Sequence, residues 1–151
     1  MSRLLYLDVS SGASGDMLLG TMVEQGASFP GILRVLKSLK GLPRFSAKLS
    51  WADRHGIKAR RVEVTAPGHD HHEHRSLKDV EKIVRSGRIP EQARDGALKT
   101  FHLLAGAEAR VHGSSVDKVH FHEVGATDAV VDVLGTWLGY GMIGSPRVVV
   151  S

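Results

Sequence analysis

Apolar and polar positions along the chain recur with two different periods, and the switches between them predict its elements. Residues 3–9 (RLLYLDV) hold a short apolar run that reads as a buried strand. It leads through Ser10 to Asp16 into a helix over residues 16–25, with Ser14 as N-cap, Asp16 in the first turn and Gly26 past the end. A second helix begins at Ser28 and Pro30. Its Ile32, Val35, Leu36 and Leu39 recur at helical spacing, and Gly41 stops it.

Phe45, Ala47, Leu49 and Trp51 then alternate with polar residues, the period of a half-buried strand. A turn through Arg54, His55 and Gly56 leads to a second strand over 57–65, so the pair forms an antiparallel hairpin. Its apolar parity changes between Ala59 and Val62, which predicts a bulge or a twist there. Beyond a polar stretch at 67–75, a short helix runs from Ser76 to Arg85. A longer one runs from Pro90 to Val111, with Ala97, Phe101, Leu104 and Val111 on its apolar stripe. Val119 to Glu123 is extended, a last helix spans 126–139, and 147–151 is a further strand.

These elements predict an α/β fold, with α+β as the alternative: a small mixed sheet with a β-hairpin, packed by about five helices. The chain stops inside an uncapped apolar run, as a piece of a longer protein would, and no internal repeat is visible.

At 151 residues the chain suits one domain with a real core. No apolar run is long enough to span a bilayer, which excludes a membrane span. The first apolar stretch breaks at Asp8, too soon for a secretory signal, so the cytoplasm is the expected compartment. The absence of cysteine removes disulfides, thiolate nucleophiles and Cys-type zinc sites together. A formal charge of +4 suggests anionic partners. The basic residues are scattered and aromatics make up only 5%, so no nucleic-acid stripe appears, and a small phosphorylated ligand accounts for that charge equally well.

Nine histidines make imidazole the obvious metal donor. Four of them, His69, His71, His72 and His74, lie in one loop with Asp70 and Glu73 between them, a composition that suits nickel, zinc, copper or cobalt. The bland reading is a solvated polar loop; its internal position and interleaved acids argue against a tag. In Val119–His120–Phe121–His122–Glu123 an extended backbone places His120 and His122 on one face, a ready bidentate pair, with Phe121 and Glu123 on the other.

Asp128 and Asp132 stand one helical turn apart, and Gly135 and Gly139 continue their stripe. Carboxylates on one face repel unless a cation or proton joins them, and the glycines suit close approach by a ligand or backbone. Glu108 falls in the apolar register of its helix, with His112 four residues on and within reach.

The turn after the first strand, with Ser11, Gly12, Ser14, Gly15 and Asp16, offers free backbone N–H groups at a helix N-terminus, which suits phosphate. It is neither a Walker A loop nor a dinucleotide fingerprint. Asp8 and Asp16 repel phosphate there unless a metal or positive group intervenes. No Ser-His-Asp order and no HExxH sequence supports protease chemistry.

Four segments in this order carry a resemblance: Asp8 to Gly20 (DVSSGASGDMLLG), the His69–Arg75 cluster, Glu108 to Gly113 (EARVHG), and His120 to Asp132 (HFHEVGATDAVVD). Over essentially its whole length the chain resembles the nickel-insertion proteins of lactate racemase maturation, the LarC family.

That resemblance implies a CTP-dependent nickel chelatase, or cyclometallase, a lyase that also needs a divalent ion such as manganese or magnesium. Its substrate would be pyridinium-3,5-bisthiocarboxylic acid mononucleotide and its product the nickel-pincer nucleotide cofactor. It implies further that this chain is the N-terminal metal-handling part. The CTP-binding C-terminal portion of the same protein is its partner, and this chain alone does not complete catalysis. The expectation is nickel capture by the His69–His74 loop, an ordered site at His120, His122 and Glu123 with Asp128 and Asp132, and substrate phosphate at Ser11 to Asp16. Asp8, Glu108 and His112 support these groups, and homo-oligomerisation stays open. The rival readings are a nickel or zinc store without chemistry and a metal-dependent phosphohydrolase.

Overall fold

A computed structural model describes residues 3–66, 75–121 and 125–151. Strand β1 (Leu4–Leu7) leads into helices α1 (Gly15–Glu24) and α2 (Phe29–Lys37). The hairpin strands β2 (Ser46–Arg54) and β3 (Ile57–Thr65) follow, then the short β4 (Arg75–Ser76) and α3 (Leu77–Arg85). Helix α4 (Glu91–Val111), a 3-10 turn at Val116–Lys118, β5 (His120–Phe121), α5 (Thr127–Met142) and β6 (Arg147–Val150) complete the chain. The mixed α/β character with five helices among the described residues is the class expected. The strands form three separate pairs there instead of one mixed sheet: β1–β6 parallel, β2–β3 and β4–β5 antiparallel.

Capping explains the sharp helix starts. The Ser28 hydroxyl accepts from Gly31 N at the start of α2. At α3, Ser76 and Asp79 form a reciprocal capping box, which holds the Asp79 carboxyl below its ordinary range, chiefly through the Ser76 hydroxyl. Ser14 departs from expectation. Its backbone occupies the N-cap position of α1, but its hydroxyl donates to Asp16 Oδ1 and caps nothing.

Helix α5 is the hub, packing against α1, α2 and α4. Its glycines have a structural cause. A Cβ on Gly135 would come within 3.2 Å of Leu19, and one on Gly139 within 2.6 Å of Met22 Cβ. The stripe that sequence reading reserved for a ligand or backbone is therefore filled by α1 side chains. Across the α4 contact, Trp137 lies where a Cβ on Gly96 would stand, and its indole N–H donates to Thr100 Oγ1 at 3.1 Å. The rings of Phe101 and Phe121, both fully buried, are 6.4 Å apart and tilted.

Three further expectations are corrected. Val111 is 79% exposed. The buried stripe of α4 is made of Ala93, Gly96, Ala97, Leu98, Phe101, Ala105 and Ala109, and Gly96 is where it lets Trp137 of α5 approach. The hairpin carries no bulge: the register runs unbroken from Ser46↔Thr65 to Arg54↔Ile57. The parity change arises because Ile57 and Ala59 sit on the solvent side near the hairpin tip, where no core requires them. Finally, β1 is half-exposed instead of buried, since it pairs with β6 alone among the described residues.

Candidate functional site

Gly15, Leu19 and Met22 of α1 meet Asp132, Gly135 and Gly139 of α5 in the same order, so the two helices run parallel and bring their N-termini to one end. Each N-terminus carries partial positive charge from unpaired N–H groups, and each places an acid in its first turn, Asp16 on α1 and Asp128 on α5. Asp132 lies one turn deeper. A Cβ on Gly15 would sit 2.6 Å from Asp132 Cβ and 3.0 Å from its Oδ2, so glycine is what lets this carboxylate lie against the start of α1.

Burial pushes the Asp132 carboxyl up to about 7, with the negative charges of Asp16 and then Asp128 adding to it. Its Oδ1 is buried and has no hydrogen-bond partner among the described residues, and neither has Oγ1 of Thr127 at the head of α5. A buried acceptor of this kind, beside two more acids, is short of positive charge. Among the described residues no three His, Asp or Glu side chains come close enough to hold a metal, so a complete ligand set needs donors from elsewhere.

The histidine segments approach this end through the backbone. Arg75, directly after His74, pairs with Phe121, directly before His122; Ser76 pairs with His120. An Arg75 guanidinium N–H donates to the Gly125 carbonyl, and a Cβ on Gly125 would press on both Phe121 and Arg75, which explains that glycine. Thr127 opens α5 two residues later. His69, His71, His72, His74, His122 and Glu123 themselves lie outside the described residues, as does the side chain of His120.

Ser11, Gly12 and Ser14 are exposed on the turn after β1. Gly12 adopts a φ of +88°, which favours glycine, and its N–H donates to Val9 O at 2.8 Å. The turn's own carboxylates engage its neighbouring hydroxyls. Asp8 accepts from the Ser10 hydroxyl at 2.7 Å and the Ser10 N–H at 3.1 Å, which holds its carboxyl low, and Ser14 donates to Asp16.

Beside the turn lies a groove of about 430 Å³, bounded by Tyr6, Asp8, Gly12, Met17, Glu24 and, from the hairpin, Lys58 and Arg60. It opens at the carboxyl end of the parallel pair β1–β6, where α/β folds take their ligands. Arg60 is braced, 3.4 Å from Glu24 and with its guanidinium 4.0 Å from the centre of the Trp51 ring. Lys58 has no ion pair among the described residues. Sequence reading missed the groove's basic side because it arises from tertiary packing: a Cβ on Gly20 would stand 2.5 Å from the Arg60 carbonyl, and this close approach seats β3 against α1.

Glu108 Oε1 lies 3.4 Å from His112 Nε2, and the Glu108 side chain is about a quarter exposed, at the edge of the α4 stripe.

No helix among the described residues is long and apolar enough to cross a membrane. Relatives named for nickel insertion match nearly the whole chain. One from Gloeothece citriformis is 41% identical over 95% of it, and one from Myxococcus xanthus 36% over 98%. A Desulfitobacterium hafniense relative, named pyridinium-3,5-bisthiocarboxylic acid mononucleotide nickel insertion protein, is 38% identical over 99%. The chain spans 36–38% of the length of these relatives. No solved structure matches it. The family model described as nickel insertion protein matches residues 5–151, and the chain belongs to that family.

Proposed function

We propose that the protein of which this chain is the metal-handling N-terminal part inserts nickel into pyridinium-3,5-bisthiocarboxylic acid mononucleotide, a chelatase (lyase) reaction that forms the nickel-pincer nucleotide cofactor in the cytoplasm. Nickel is a substrate in this reading. CTP and manganese or magnesium act through the part of the longer protein that this chain does not match.

The observation that carries the proposal is the Arg75–Phe121 bridge. It ties the end of one histidine-bearing segment to the start of the other, two short steps before the helix that presents Asp128 and Asp132. Imidazoles of the 69–74 loop capture nickel and pass it to His120, His122 and Glu123, imidazole being a donor that suits nickel. The buried, unpartnered Asp132 carboxylate favours a cation there, which displaces the proton that burial otherwise retains.

The mononucleotide occupies the groove. Lys58 and the free N–H groups of the 11–16 turn receive its phosphate, and Asp8 and Glu24 face the positive pyridinium ring. Nickel leaves protein oxygen and nitrogen for the substrate's thiocarboxylate sulfurs and a ring carbon, whose C–H bond breaks with its proton released to a base in solvent, which suits a chain without cysteine. Glu108 and His112 play a supporting part on α4.

The test combines this chain with a recombinant C-terminal portion, CTP, manganese, nickel and the dithio-mononucleotide, and follows the cofactor's absorbance. Product forms with all components and not when this chain is left out. Deleting residues 69–74 raises the nickel needed while leaving turnover at excess nickel. No product from folded, complete mixtures contradicts the proposal.

A further inference from the structure

The β1–β6 pair has a surface most of which nothing in the metal or substrate chemistry uses; only Tyr6 and Leu7 border the groove. In its register Leu4 stands beside Arg147, Leu5 beside Val148, Tyr6 beside Val149 and Leu7 beside Val150. Alternation therefore puts Leu4, Tyr6 and Val149 on one face, and Leu5, Leu7, Val148 and Val150 on the other. Both faces are apolar, the signature of parallel strands covered on both sides. Yet Leu4 and Tyr6 are 59% and 58% exposed, and Val148 and Val150 40% and 54%. Of the seven, only Leu5 packs against the core among the described residues. Each strand also has a single neighbour there, leaving two outer edges with unpaired N–H and C=O groups.

We infer that β1 and β6 belong to a larger parallel sheet, and that its open faces and edges are covered by the portion of the family's longer chains that these residues do not match. Three features choose that occupant. The apolar residues come in the strand pattern that demands cover, not as a scattered patch. The matched relatives are longer by more than half their length, so chain to supply the cover exists in them. The surface adjoins the groove at the carboxyl end of the same strands, so the covering segment also reaches the place where a ligand enters. This inference does not depend on nickel: it stands or falls on the strands.

The test is hydrogen exchange on this chain and on the whole Desulfitobacterium hafniense relative, with sedimentation to give the mass of each. Amides of Leu4–Leu7 and Arg147–Val150 should exchange at least about tenfold faster in this chain than the matching amides in the relative, while those of α4 and α5 exchange alike in both. Equal exchange in the strands overturns the inference. So does strong protection in this chain accompanied by a concentration-dependent mass, which assigns the surface to a second copy. As a control, Leu4→Lys should leave the thermal midpoint of this chain unchanged and reduce its binding of a dye that fluoresces on apolar surfaces. A large fall in midpoint would mean that Leu4 is already covered, and would also overturn the inference.

Discussion

Asp132 is packed against the backbone of Gly15 so closely that a Cβ there would lie 2.6 Å from the aspartate's own Cβ. One contact thus joins the turn after β1 to the acid-bearing helix α5. Gly15→Ala forces one of the two N-termini to move, and overpacking of this kind costs about 1–3 kcal/mol. Urea unfolding should show the midpoint falling with little change in slope.

The same aspartate makes stability depend on pH. In the unfolded chain Asp132 ionises near the ordinary value of 3.8, whereas in the folded chain it holds its proton up to about 7. Below 3.8 both states are protonated and the group contributes no difference. As pH rises from about 4 to 7, the unfolded state releases a proton that the folded state keeps, so folding stability falls and then levels off. Asp8 and Asp79, whose carboxyls are held low, act in the opposite sense and at lower pH, losing their contribution as pH falls below the ordinary carboxylate range. Metal-free Asp132→Asn should lack the decline between pH 4 and 7 in thermal midpoints; an unchanged profile would show that Asp132 does not cause it.

The parallel helix contact yields a coupled pair. Gly139→Ala should destabilise by about 1–3 kcal/mol because its new methyl meets Met22. Met22→Gly removes the clashing Cβ at its own cost, so the double variant should lose less than the sum of the singles. A double-mutant cycle measures that difference.

Much of the fold could be read from the chain because local chemistry governs it. Ser28 and the Ser76–Asp79 box start their helices where pattern and cap agree, and the Phe45–Trp51 alternation matches the observed strand. What escaped reading depends on contacts between distant segments. Val111 had the right spacing and size for a core residue but points to solvent, because α4 buries a different stripe, its alanines with Gly96, the last under Trp137. Gly135 and Gly139 read as room for a ligand or backbone, and the room belongs to the side chains Leu19 and Met22 of α1. At the candidate site, the pairing of Asp128 and Asp132 was visible from their spacing. Asp16 joining them, and Lys58 crossing to the groove, were not, since α1 and β3 are brought together only by the packed fold.

Lys58 offers a specific check on the groove. Lys58→Ala should weaken binding of the mononucleotide to the assembled protein by about tenfold, the loss of one charge-assisted contact. Folding should be untouched because the side chain is exposed. Calorimetry with the mononucleotide reads this directly, and unchanged affinity would move the phosphate elsewhere.

The central claim is that His120 and His122 and the acids of α5 serve one cation, which the 69–74 loop captures and delivers. Calorimetric nickel titration of this chain with residues 69–74 deleted, so that the capture loop is silent, tests it most directly. One ordered site should remain, and both His120→Ala/His122→Ala and Asp132→Asn should weaken it by at least about tenfold each, the scale expected for loss of a ligand or its immediate support. Unchanged stoichiometry and affinity in both variants would contradict the account.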